Sequence, residues 1–236
     1  MRYMAGRLAE VDLLDQADAI LEELVRFQTT GAEQAEIGAE LAALRLINDK
    51  PQKAIDILEE STPEKGTEKI SDNLFERRKV LQAKAYADAG EPKKALDLLR
   101  WDASMDAMRL KADINWDAGF WVDAARVLER LIRRLSIDGV SADERDDIVR
   151  LIIRQGTAYA LSGNQKGLDR LQEEFCDLMQ GSEFAEAFGV ITQPISAGRL
   201  GDLQSVQEKI SGVDLYTPYL ESFNQDSGPN SGQSAQ

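Results

Sequence analysis

Small and apolar residues recur along this chain in steps of three and four, the period of helices that bury one face. In Ala83-Lys-Ala-Tyr86-Ala-Asp-Ala-Gly90-Glu-Pro-Lys-Lys-Ala95-Leu-Asp-Leu-Leu99, a small residue is followed by Gly seven positions on, Ala five further and Leu four further. Ala112, Gly119, Ala124 and Leu128 repeat that spacing, as do Ala42, Asp49, Ala54, Leu58 and Ala5, Asp12, Ala17, Leu21. Each copy predicts the end of one helix, a tight turn and the start of a second, with the small residues where two backbones approach closely. Gly suits the turn because it tolerates a left-handed backbone, and Asp because it caps the next helix.

Two weaker copies follow. Gly156, Tyr159, Gly163, Gly167 and Leu171 keep the pattern with the second helix starting one residue early, and Ala197, Gly201 and Ser205 share that shortened spacing. The copies are irregular: Ala95 and Ala124 are 29 residues apart, Ala124 and Gly167 43. Extra length falls at breakers. Thr62-Pro63-Glu-Lys-Gly66-Thr reads as a loop with Asp72 capping the next helix, and Ser136 to Val140 as another, closed by a Ser141 to Glu144 capping box. Apolar runs such as Leu151-Ile-Ile153 sit inside longer helical periodicity, so helices of about 12 to 18 residues are expected and no strands. Tyr216 to Phe223 reads as a short cap folding back on the last repeat, and residues 222–236 as a disordered polar tail.

Composition narrows the function. Twenty-eight basic against 42 acidic residues leave a formal charge of −14, which repels a phosphate backbone and argues against nucleic-acid binding. The basic clusters Arg77-Arg78-Lys79 and Arg130 with Arg133-Arg134 lie in helical periodicity and read as solvated faces. No apolar run reaches the roughly 18 to 20 residues that span a membrane, and Met1-Arg-Tyr-Met is unlike a signal peptide. A soluble chain is expected, in the cytoplasm, or in the periplasm if it is a piece of an exported protein. The one cysteine, Cys176, permits no internal disulfide and reads as a small buried hydrophobe. Histidine is absent altogether, which removes the commonest general base and metal ligand. With no phosphate-binding glycine motif, metal-ligand cluster or activated nucleophile in the sequence, no catalytic, cofactor-binding or metal residue is assigned. Asp143-Glu-Arg-Asp146-Asp147 reads as acids at the positive end of a helix.

The spacing of Ala83, Tyr86, Gly90, Ala95 and Leu99, and of Ala112, Gly119, Trp121, Ala124, Leu128 and Leu131, resembles the tetratricopeptide repeat. The resemblance covers residues 1–131 well and 148–210 loosely. It departs from the family in its uneven spacing, in lacking the closing proline, and in Asn115, where an aromatic is common. The irregular set is similar to portions of large bacterial repeat proteins. The first copy starts part-way through its first helix, as a piece of a longer chain would. The resemblance implies an all-α, right-handed superhelical solenoid of five to six helix pairs over residues 1–221, with repeats near 1–30, 34–62, 72–101, 104–135, 142–180 and 183–211. It also implies a concave wall, formed by the first helices, that holds a partner's peptide or helix.

In that register the wall includes Arg77, Lys84 and Asp88 from one helix and Arg109, Asp113, Trp116 and Asp117 from the next. Trp and Arg are common binding anchors, so Trp116 with Arg109 is the preferred hot spot, against the alternative that Trp116 packs on a neighbouring pair. Trp121 reads as a buried aromatic of the second helix, and Trp101 is open. The positions with which some tetratricopeptide repeats clamp a carboxylate tail carry Ala39, Ala43, Leu81, Asp106 and Leu110, so that clamp is not expected. The acidic balance favours a basic or apolar protein partner. A non-catalytic interaction scaffold is the resulting expectation. Its alternatives are a homo-oligomer built by end-to-end stacking of repeats and an accessory or small-ligand-binding domain of a larger enzyme or envelope complex.

Overall fold

The turn residues read from the spacing are left-handed, a conformation that among the described residues only Gly31, at the start of a helix, shares with them. In the computed structural model, which describes residues 1–63, 70–135, 142–193, 216 and 220, Asp12, Asp49, Gly90, Gly119 and Gly163 have φ of 61°, 51°, 81°, 70° and 70°. Each carries the same two backbone bonds. At Gly90, for instance, its own N–H reaches Ala87 O at 3.0 Å and the next N–H, of Glu91, reaches Tyr86 O at 2.8 Å. The pairs at Asp12, Asp49, Gly119 and Gly163 are equivalent, and together they satisfy the last carbonyls of the preceding helix. The aspartates therefore act through the backbone of the turn. They do not cap the next helix as expected: α2 (Leu14–Glu23) and α4 (Pro51–Glu60) begin with no side-chain cap.

Among the described residues the fold is all-α, eleven helices with no strand. It divides into two compact units, where the sequence suggests one domain. The first, residues 1–102 with Tyr216 and Leu220, holds α1 (Arg2–Glu10), α2, α3 (Gly31–Ile47), α4, α5 (Asp72–Asp88) and α6 (Pro92–Leu98). These pair as hairpins α1/α2, α3/α4 and α5/α6, with α3 also lying against α2 and α5, and α5 against α4. The second unit, Ala103–Leu215, holds the hairpins α7 (Met105–Asp117)/α8 (Trp121–Arg134) and α9 (Ala142–Leu161)/α10 (Gln165–Gln180), followed by α11 (Ala185–Thr192).

The small residues do what their spacing implies. Ala17, Ala42, Ala54, Ala83, Ala95, Ala112 and Ala124 are all completely buried, and Leu21, Leu58, Leu99 and Leu128 line the same seams. At Gly156 a Cβ would come within 3.0 Å of Leu171 and 3.1 Å of Ile191, so α9 touches α10 and α11 almost backbone to side chain. Helix α10 starts two residues after Gly163, as α6 does after Gly90, so the helix does not begin early. What shifts by one is the small residue, Gly167, on which the Tyr159 ring lies, 2.8 Å from where a Cβ would stand.

Other ends depart from expectation. Ser71, not Asp72, caps α5, accepting the Leu74 N–H at 3.2 Å, and Ser104 caps α7 through Ala107 in the same way. Helix α2 finishes in a π turn, Leu24–Gln28, whose carbonyls accept from Thr29 Oγ1 (Leu24 O, 3.0 Å) and Gln34 Nε2 (Val25 O, 2.9 Å). Helix α6 has seven residues, short of the expected length, and beyond its end Lys79 on α5 meets Asp102 at 3.0 Å, two residues before the Ser104 cap. Tyr216 and Leu220, 0% and 3% exposed, belong to the first unit, whereas the last repeat lies in the second; the rest of the Tyr216 to Phe223 cap lies outside the described residues. The Ser141 to Glu144 capping box, the loop from 64 onward, the Ser136 to Val140 loop, the Ala197 copy and the tail from 222 lie outside the described residues.

Candidate functional site

In the first unit, Arg77, Lys84 and Asp88 fall at i, i+7 and i+11 of α5 and so share one face. Lys84 Nζ meets Asp88 Oδ1 at 2.5 Å, with the two side chains 18% and 27% exposed. The adjacent Arg78 is not part of a solvated basic face. It is buried, donating to Ala35 O, to Leu58 O at 2.6 Å, to Ser61 Oγ at 3.2 Å and to Thr62 Oγ1 at 3.2 Å, and it closes the C-terminal end of α4. Burial pushes its guanidinium down to about 10, still charged at neutral pH. Burial also opposes the charge on Lys79, but the carboxylates of Glu76 and Asp102 outweigh it and raise that ammonium above its usual range.

In the second unit, Arg109 and Asp117 on α7 reach solvent, whereas Trp116 and Asp113 do not. Asp113 is 8% exposed and accepts from Arg154 Nη1 of α9 at 2.8 Å. The same guanidinium stacks over the Trp116 ring at 4.9 Å, and Trp121 meets that ring edge-on at 5.4 Å. Trp116 is 4% exposed and belongs to the core of its unit, which removes it and Asp113 from the accessible wall. Arg109 keeps only a loose ion pair to Asp106 at 3.8 Å. Trp121 is half-buried against the core, and Cys176 is half-buried as well, accepting from Gln180 Nε2 at 3.3 Å.

Sequence reasoning missed a polar contact that recurs where successive hairpins of one unit meet. Five residues beyond the buried Ala of a second helix stands a glutamate. Three beyond the small residue of the next first helix stands its donor. Arg45 donates to Glu22 at 2.9 Å, Tyr86 to Glu59 at 3.4 Å and Tyr159 to Glu129 at 3.5 Å. Burial raises the Tyr159 phenol above its usual range, and the amide of Gln155 opposes the rise. Arg45 also grips Asp18 bidentately at 2.9 and 3.0 Å, and Arg2 does the same to Glu40. For both arginines burial alone would lower the charge, yet the carboxylates prevail and hold the guanidinium above its normal range. At the step where the chain divides, Arg100 takes the glutamate's place and Asn115 the donor's, and Asn115 Nδ2 donates to Lys111 O of its own helix at 2.6 Å. These positions follow the Ala register, so the signal was present in the spacing. The exposed aromatics Trp101 (87%), Phe27 (75%), Tyr3 (60%) and Phe75 (55%) of the first unit carried no such signal.

Between α8, α9 and α10 lies a crevice of about 40 Å³ lined by Glu129, Arg133, Gln155, Tyr159, Arg170 and Phe175. Another of about 20 Å³ lies between Arg2, Ala5, Leu21 and Leu44. Each has room for a water or two, against roughly 300 Å³ or more for a small-molecule pocket. Among the described residues no group of three His, Cys, Asp or Glu is placed to hold a metal, and no helix is long and apolar enough to cross a membrane. Comparison with protein-family models, curated proteins and solved structures finds no match to the chain.

Proposed function

We propose that the chain is a non-catalytic interaction scaffold, a right-handed superhelical solenoid of tetratricopeptide-like hairpins that takes up a basic or apolar segment of another protein on its first-helix faces. The observation that supports this reading is the recurrence of one register: left-handed turn, buried small residues and a glutamate meeting the next hairpin. That register occurs in both units, and the crevices described are water-sized. A chain that repeats a stacking surface offers area to a partner, whereas an enzyme concentrates chemistry in a cleft.

The faces offered are Arg77, Lys84 and Asp88 on α5, and Arg109 and Asp117 on α7. Trp116 and Asp113, on the same side of α7, are covered by Arg154 and are not offered. The formal charge of −14 draws basic segments toward the chain as a whole and repels nucleic acid, while these faces themselves carry charges of both signs. The test uses the intact chain as bait in lysate of cells that produce it, beside a variant carrying Asp88→Lys and Asp117→Lys, with helicity checked by circular dichroism. Loss of specific captured proteins in the variant is the expected result. Identical captured sets from two equally helical baits would overturn the assignment of these faces.

A further inference from the structure

Helix α1 exposes an arc that the same chain covers elsewhere. Aligned on the buried small residues Ala5 and Ala42, the positions Tyr3, Met4 and Arg7 of α1 correspond to Glu40, Leu41 and Leu44 of α3. In α3 these are 6%, 0% and 2% exposed, because the preceding hairpin lies on them: Arg2 of α1 holds Glu40, and Asp18 and Glu22 of α2 hold Arg45 alongside. In the second unit the equivalent residues of α9, Arg154, Gln155 and Ala158, are 2%, 4% and 0% exposed, with Asp113 of α7 and Glu129 of α8 reaching this face of α9. On α1, Tyr3 is 60% exposed, Met4 57% and the neighbouring Val11 60%, a run of large apolar side chains facing water. Among the described residues this stacking surface stays uncovered on α1.

We propose that a second copy of the chain covers it, α1 pairing antiparallel with α1 across a twofold axis. A twofold interface must be complementary to itself, and this arc is. Its charges are one of each sign, Arg7 and Glu10, now paired to each other at 3.2 Å. Antiparallel pairing runs Arg7 of each copy past Glu10 of the other and closes Tyr3, Met4 and Val11 between them. Tyr, Met and Arg are the residue types enriched in interface cores. Tyr3, Met4 and Val11 with the flanking Arg7 and Glu10 are each more than half exposed and together offer on the order of 500 Å² per copy, about 1,000 Å² for the pair, at the lower edge of specific interfaces. With the formal charge of −14 on each copy opposing approach, the pair forms in the micromolar range. This inference stands apart from the partner-binding reading above, since it uses a different helix and a different face.

Sedimentation velocity on the full chain, from about 1 to about 200 µM, tests it. The expected result is a weight-average mass that rises from 26.2 kDa toward twice that value and stops there. Val11→Asp and Met4→Lys, both at exposed positions, hold the chain at the monomer mass with unchanged helicity. Arg7→Glu weakens pairing about tenfold or more, and adding Glu10→Arg restores it. A wild-type mass independent of concentration overturns the second copy as occupant and leaves the arc to a helix of another protein. A mass that climbs past two copies overturns the closed twofold pairing. Unchanged dimerisation in the Val11→Asp variant overturns the assignment of the face.

Discussion

The junction between the first two hairpins yields a prediction with a magnitude. Arg45, 3% exposed, meets Asp18 at 2.9 and 3.0 Å, Glu22 at 2.9 Å and Lys53 O at 3.1 Å. At the equivalent position the later hairpins carry Tyr86 and Tyr159, and where α2 has Asp18 the other second helices have Ile55, Leu96, Ala125 and Leu168. Arg45→Tyr therefore keeps a donor for Glu22 but strands Asp18, which is 9% exposed, as a buried charge without its counter-ion. Breaking a buried pair from one side costs about 3–5 kcal/mol, a large share of the roughly 5–15 kcal/mol that holds a domain folded. Adding Asp18→Leu removes the stranded charge and recreates the tyrosine type of junction, so most of the loss returns. In urea, with a slope near 2 kcal/mol per molar, the single variant lowers the unfolding midpoint by about 2 M and the double variant restores it to within about 0.5 M. Helicity followed by circular dichroism reads both. A single variant within about 1 kcal/mol of wild type would show that Asp18 is hydrated in solution. A double variant less stable than the single would refute the equivalence of the junctions.

Two further predictions follow from the same register. Gly167→Ala places a Cβ against the Tyr159 ring and costs about 1–3 kcal/mol, several degrees in a thermal scan, and Tyr159→Leu in that background recovers part of it; equal stability of Gly and Ala at 167 would contradict the close approach. Hydrogen bonds from Lys50 at 2.6 Å and Asn48 at 3.1 Å hold the Asp15 carboxylate below its ordinary value, so its contribution is present above the usual carboxylate range near 4 and is lost as the pH falls through the depressed value. Carboxyl NMR of a Lys50→Gln variant should show the Asp15 midpoint move up, and an unmoved midpoint would place the cause elsewhere.

The sequence by itself determined the local units. A Gly or Asp seven residues past a small residue and five before the next is a turn signal whose cause lies within one stretch of backbone; the four residues with that spacing, Asp12, Asp49, Gly90 and Gly119, are left-handed, and so is Gly163, where the next small residue comes one position sooner. The buried Ala and Leu positions were legible for the same reason, since helical periodicity alone decides which side chains share a face. The first-helix faces were legible too, which is why Arg77, Lys84 and Asp88 align on α5.

Only the tertiary structure decided which faces are covered. Trp116 and Asp113 lie on the expected face of α7, yet Arg154, 41 residues further along, pairs with one and stacks on the other. Arg78 looks like a surface cation until the end of α4 supplies carbonyls to receive it. Tyr216 belongs with residues 1–102 though more than a hundred residues separate them, and the step between α6 and α7 divides two units though its Ala spacing is the shortest in the chain. In each case the deciding contact joins residues far apart in the chain. Helical periodicity says which side chains share a face, while what lies against that face depends on how distant helices pack.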